Sequence, residues 1–256
     1  MTESSGFFTR AFGDEPPVRI YEEDQDLFAA LSPEGQLDAR ARAVAPMLRL
    51  DRGPWEPMGG GHYDPHTCLG LLVLDGLLVH SVVVASEPRA EVVGPGDVLR
   101  PWQSDDEIPT VPFRSEWEVV HPTRLAVLDE RFVAFACRWP NLVLAIVGRT
   151  VRRSHRLARQ LAIADVRRVD DRLMLFFWHL ADRWGRVGPD GVLVPLPVTH
   201  DVLAQLVCAQ RPTVTSALKR LSDTGRIRRR PDRTWLLAPD PPQAPARQRS
   251  NGRADG

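Results

Sequence analysis

Between about residues 66 and 128 the apolar positions come in short runs broken by glycine and proline. Leu71-Leu72-Val73-Leu74 and Leu77-Leu78-Val79 flank Asp75-Gly76, a spacing that predicts two strands around a tight turn. Val92-Val93 leads into a second turn, Gly94-Pro95-Gly96-Asp97, and the pattern resumes at Val98-Leu99. Trp117 to Val120 and Leu125 to Leu128 read as the last strands. Many short strands with Gly/Pro turns predict a barrel or jelly roll. From Asp129 the period becomes helical. Residues 130–139 read as a short helix ending near Pro140, and residues 141–164 as a longer one. On it Val143, Val147, Ser154, Leu157, Leu161 and Ala164 form a three-four seam, interrupted near Thr150. A further helix, Val169 to Trp184, presents Leu173, Phe176, Phe177 and Leu180 as a core face. Gly185 to Pro197 is a loop or short hairpin turning at Gly188-Pro189-Asp190-Gly191.

Two short amphipathic helices follow. Thr199 is an N-cap type, and Leu203, Leu206 and Val207 share one face behind it. The second helix begins around Arg211, where Pro212 is tolerated in a first turn. Val214, Ala217, Leu218 and Leu221 make its buried stripe, while Arg211, Thr213, Ser216, Lys219 and Arg220 make a polar face. Such a face suits a major groove, whose base edges accept hydrogen bonds and whose flanks are phosphates. Gly225 stops the helix. Ile227 to Arg230 and Thr234 to Leu237 read as strands around Pro231-Asp232, with Arg228, Arg229, Arg230 and Arg233 on the resulting wing.

The run Thr199-His200, Leu203-Ala204, Leu206, Arg211-Pro212-Thr213-Val214-Thr215, Ala217-Leu218-Lys219-Arg220-Leu221, Gly225 and Ile227 resembles the C-terminal domain of the Crp/Fnr transcription regulators. The resemblance implies a sensor β-roll, a connecting helix that packs against its twin in a homodimer, and a reader of double-stranded DNA acting with RNA polymerase. It places Arg211, Thr213, Ser216 and Arg220 at DNA-contact positions. Thr199, Gln210, Lys219 and Arg229 complete the candidate DNA-binding set. Pro212 and Ser216 stand where the best-known members place a charged base reader, so the target sequence should differ from theirs. The family usually has glycine where this chain has Cys208; either the turn geometry shifts or Cys208 carries strain. Its thiol is either a small packing group or a site whose oxidation disturbs docking.

Formal charge is zero, yet residues 1–130 hold 10 Lys and Arg against 23 Asp and Glu, while residues 131–256 hold 23 against 10. An acidic half joined to a basic half points to nucleic acid binding by the second. Three scattered cysteines, Cys68, Cys137 and Cys208, make no disulfide framework and cannot supply a four-cysteine iron–sulfur site. No secretory signal and no long apolar span is seen, so the expectation is a cytoplasmic protein without membrane contact. No nucleophile elbow, phosphate loop or HExxH occurs, which argues against an enzyme.

Gly94-Pro95-Gly96-Asp97-Val98-Leu99 resembles the glycine turn of cyclic-nucleotide-binding folds. Members that bind a nucleotide carry a Gly-Glu pair and a later Arg beside Ser/Thr and Ala. Here residues 104–116 keep Glu107 and Arg114 but lack the glycine and alanine, and Asp105-Asp106-Glu107 opposes a phosphate. The effector candidates are therefore Gly96, Glu107 and Arg114, for a small molecule of unknown identity. A cyclic nucleotide is not favoured and no cofactor is expected. His62-Tyr63-Asp64-Pro65-His66-Thr67-Cys68 has metal-ligand types at close spacing, but it follows three glycines and reads as a loop; no metal is expected.

The expected architecture is α+β. A flexible N-terminus (1–20) precedes a cyclic-nucleotide-binding-like β-roll or jelly-roll sensor (21–130). Connecting dimerisation helices (131–166) lead to a winged helix-turn-helix (167–238) and a disordered tail (239–256). The alternative is a winged-helix protein-interaction module without specific DNA binding; steep salt dependence separates the two.

Overall fold

The computed structural model describes residues 16–58, 63–85, 87–102 and 110–242. Most of the expected flexible N-terminus and disordered tail, His62, and the stretch 103–109 containing Glu107 lie outside them.

The sequence pattern predicts no elements before residue 66. The structure has β1 (Val18–Arg19), α1 (Ile20–Glu23), a 3-10 turn (Gln25–Phe28), α2 (Pro33–Arg42), β2 (Val44–Ala45), β3 (Met47–Leu50) and β4 (Gly53–Trp55). A signal for α2 is present: Ser32 caps it, accepting the Gly35 N–H at 3.2 Å, and Pro33 occupies the first turn.

The sensor sheet is built on two long antiparallel strands, β5 (Gly70–Val84) and, after β6 (Glu87–Val93) and β7 (Val98–Leu99), β8 (Phe113–Leu128). Strand order is β3-β8-β5-β6, with β4 on β8 and β7 on β5. This corrects the sequence reading. Asp75-Gly76 is not a hairpin turn, because Val73 and Leu77 both pair with β8, to Leu125 and His121, and the register shifts between them. The dipeptide forms a bulge inside one strand. Gly76 has φ +93, and a Cβ there would collide with the Pro122 carbonyl oxygen, so this crossing needs glycine. Residues 117–120 and 125–128 are likewise two parts of β8.

The bulge changes which side chains face inward. Before it, Leu71 and Val73 fill the inside of the roll; after it, Leu78 does, and Leu77 and Val79 turn outward. One strand thereby serves separate interiors on its outer face. Leu72 packs with Ile20, Phe28, Phe132, Leu142 and Ile146, whereas Leu77 and Val79 pack with the C-terminal helices.

Next come α3 (Glu130–Ala136), α4 (Pro140–Ala164) and α5 (Val169–Trp184), then β9 (Arg186–Gly188) and β10 (Gly191–Val194) as a hairpin. Asp129 caps α3 through the Phe132 N–H at 3.0 Å. Three arginines of α4 grip carboxylates of the sensor. Arg149 holds Asp24 with both nitrogens (2.5 and 2.7 Å), Arg153 holds Glu91, and Arg156 holds Asp97 at 2.5 Å. Gln160 donates to the carbonyls of both Ala90 and Leu206. These contacts set the rotation of α4 and correct the expected seam. Val143 and Leu157 turn partly inward; the exposed apolar positions are Leu144 (67%), Val147 (50%), Val151 (47%) and Leu161 (65%). No single helix among the described residues is long and apolar enough to cross a membrane.

The C-terminal unit from α5 onward, the head, closes with α6 (His200–Leu206), α7 (Arg211–Asp223), β11 (Ile227–Arg229) and β12 (Trp235–Leu237), in a small sheet ordered β11-β12-β10-β9. Its core, including Phe176, Phe177, Leu203, Leu218 and Trp235, is continuous with Leu77, Val79, Ala90, Val92 and Val120 of the roll.

Candidate nucleic-acid interface

The Thr199 hydroxyl caps α6 by accepting the Val202 N–H at 3.3 Å. α6 ends at Leu206 with Val207 as its C-cap, and Cys208 then takes φ +51. The turn thus keeps the left-handed conformation that glycine adopts cheaply, and Cys208 carries it at a cost of about 1–2 kcal/mol. What holds the turn is a residue the sequence pattern does not flag. Arg172 of α5 donates to the carbonyls of Val166 (2.6 Å), Val207 (3.1 Å) and Cys208 (2.7 Å). Two of these are carbonyls at the end of α6, where an intrahelical partner is lacking.

α7 buries Val214, Ala217, Leu218 and Leu221. Gln210, its N-cap, and Arg211, Thr213, Ser216, Lys219 and Arg220 are all exposed. The helix stops at Gly225 (φ +70), where the N–H groups of Gly225 and Arg226 return to the carbonyls of Ser222 and Leu221. The polar face is not uniformly open. Arg211 lies 3.3 Å from Asp201, and Arg220 makes a bidentate pair with Asp170 of α5. Thr215 meets His200 Nδ1 at 3.0 Å. Burial, with Arg229 and Arg211 nearby, pushes the His200 imidazole below its ordinary value. On the wing, Arg229 reaches back toward the Val198 carbonyl and lies over the Trp235 ring, while Arg228 and Arg230 are exposed. Asp232 stabilises the wing turn by accepting from the Thr234 N–H and hydroxyl. The outcome is a basic surface with hydroxyls between the cations, the chemistry of phosphate and base-edge contacts.

This surface lies within a segment that matches a known family model. Residues 171–243 match the model described as Crp-like helix-turn-helix domain. That segment is therefore similar to Crp-like helix-turn-helix domains. No curated protein sequence matches the chain. Among solved structures it is similar to FixK2 from Bradyrhizobium japonicum (17% identity, TM-score 0.56, 76% of this chain and 92% of that one). A CooA mutant from Carboxydothermus hydrogenoformans is similar at 18% identity and TM-score 0.54, over 75% of this chain and 82% of that one. A transcriptional regulator of the CRP/FNR family from Thermus thermophilus is similar at 20% identity and TM-score 0.50, over 75% and 93%. What is shared at these identities is the fold alone: a β-roll, a connecting helix and a C-terminal helix-turn-helix domain.

The effector candidates are scattered. Gly96 lies at the roll's edge, where its carbonyl accepts from Arg149 at 3.0 Å. Arg114 is exposed on β8, 3.8 Å from Glu116. Glu107 lies outside the described residues. Tyr63 and Cys68 of the ligand-type cluster engage protein carbonyls, those of Pro57 and Gly70. Burial pushes the Cys68 thiol up to about 11.

Proposed function

We propose that this chain is a sequence-specific, DNA-binding transcription regulator of the Crp/Fnr type, working as an effector-modulated homodimer. The observation that carries the reading is α7: a buried apolar stripe seats it on a Crp-like domain while its cationic, hydroxyl-bearing face stays exposed. Pairing is supported by α4, where Leu144, Val147, Val151, Ser154, Ala158 and Leu161 are exposed at alternating three- and four-residue spacing. Two heads so joined would read half-sites about one helical turn apart. An effector would act by favouring one arrangement of the heads. RNA polymerase is the further partner that such regulation requires.

The test is selection of bound duplexes from a random pool, followed by anisotropy titration at several salt concentrations. The expected result is a two-fold symmetric motif and an affinity that falls steeply with salt. Arg211→Ala should cost about 1–3 kcal/mol and relax one position of the motif, and Arg229→Ala should weaken all sequences alike. Failure to enrich any motif, or salt-independent binding, would sink the reading.

A further inference from the structure

A cleft of about 610 Å³ opens where α4 and α5 meet the turn at residues 94–97 and the N-terminal segment. Its size is that of a small-molecule site. α4 contributes Arg149, Arg152, Arg156 and Arg159, and α5 contributes His179 and Arg183. Three of the arginines are committed. Arg149 is bound to Asp24, and Arg156 and Arg183 share the buried Asp97. Arg152 and Arg159 have no ion-pair partner among the described residues and are exposed. Glu23, paired with Arg124, and Asp26 and Asp182 also line the cleft and oppose an anion, but the α4 wall is cationic along its length. Burial pushes the His179 imidazole below its ordinary value, and Arg159, Arg156 and Arg183 add to this against the opposing pull of Asp182.

Arg152 and Arg159 stand seven residues apart, roughly 10 Å along the helix. Each guanidinium is a planar fork suited to bidentate contact with phosphate. Two forks at that separation fit two anionic groups on one molecule better than one isolated anion. Arg152 and Arg159 lie roughly a third of a turn around α4 from the exposed apolar strip, so pairing through the strip leaves the cleft open.

We propose that the cleft binds a small metabolite carrying two phosphate groups, held by Arg152 and Arg159, and that it is the regulator's effector site. The site spans the connecting helix and the first helix of the head, so an occupant touches both parts whose arrangement matters. The effect on DNA rests on the function proposed above; the binding itself does not.

The test is calorimetric titration of the full chain, without DNA, using fructose 1,6-bisphosphate, adenosine 3′,5′-bisphosphate, fructose 6-phosphate and inorganic phosphate. The expected result is saturable binding of at least one bisphosphate at one site per chain, with the two single-phosphate probes at least tenfold weaker. Arg152→Ala combined with Arg159→Ala should weaken it at least tenfold. Arg167→Ala, an exposed arginine outside the cleft, should leave it unchanged. Both cleft positions are exposed, and an unchanged melting temperature would exclude misfolding of the double variant. No saturable binding of either bisphosphate at millimolar concentration overturns the proposal, as does binding that survives the double substitution. Equal affinity for inorganic phosphate overturns the two-phosphate geometry. A double variant that loses random-duplex affinity, where neither bisphosphate binds the unaltered chain, would make the cleft a nucleic-acid contact instead.

Discussion

The Arg220 guanidinium of α7 lies flat against the Asp170 carboxylate of α5, with Nη2 2.5 Å from Oδ1 and Nε 3.0 Å from Oδ2. Arg220 resembles a DNA contact, and here its charge is neutralised by its own chain. The hydrogen bond from Arg220 holds the Asp170 carboxyl below its ordinary value, so the pair is ionised at neutral pH. Asp170→Asn should release Arg220 and remove a negative charge beside the proposed duplex surface. Random-duplex affinity should rise several-fold, with a salt slope steeper by about one counterion. Anisotropy titrations at about 50–200 mM salt would read both, and an unchanged or weaker affinity would count against Arg220 as a phosphate contact.

Arg172 predicts a stability effect rather than a binding one. Its three carbonyl acceptors join the end of α4, the end of α6 and the turn into α7. Arg172→Ala leaves those carbonyls without their charged donor, and should destabilise the chain by about 2–4 kcal/mol in urea unfolding. A loss under about 1 kcal/mol would show that water replaces the guanidinium freely.

Glu91 gives a pH dependence. Burial raises its carboxyl, but hydrogen bonds from His80 and Arg153, with the charge of Arg153, outweigh burial and leave it below its ordinary value. Those partners are supplied only by the folded chain. The stabilisation is present above the unfolded glutamate value of about 4.3 and is lost as pH falls through the lower folded value. Glu91→Gln should cost about 2–3 kcal/mol at neutral pH. The gap between variant and wild-type melting temperatures should close below about pH 4. A gap of the same size at neutral pH and at about pH 3.5 would contradict this assignment.

Cys208 offers a gain. Glycine adopts its φ of +51 without strain, although it adds freedom to the unfolded chain. Cys208→Gly should stabilise the chain by about 0.5–1 kcal/mol, seen as a higher urea midpoint with an unchanged slope. A lower midpoint would mean that the side chain's packing outweighs the backbone strain.

Where local chemistry decides an element, the sequence is readable. The α5 limits, the Thr199 cap, the buried stripe of α7 and the Gly225 stop all follow from side chains within a turn or two. Asp75-Gly76 misleads because the same dipeptide serves hairpins and bulges; only the register against β8, which lies far along the chain, distinguishes them. The α4 seam is displaced for a similar reason. Two apolar stripes are available, and Asp24, Glu91 and Asp97 select between them by drawing Arg149, Arg153 and Arg156 inward. Arg172 carries no local signal, since its acceptors at Val207 and Cys208 belong to a different helix and its turn.

The apolar interior shared by β5, β6, β8 and the head limits how the proposed effector response could operate. A head tethered only by a linker could swing freely, but this one would first have to uncover Leu77, Val79 and Val92. Small sliding of packed surfaces keeps that interior closed, so shear of a few ångströms is the cheaper motion. A substitution that roughens the sliding surface, such as Ala90→Leu, should therefore lock the response without touching either the cleft or α7.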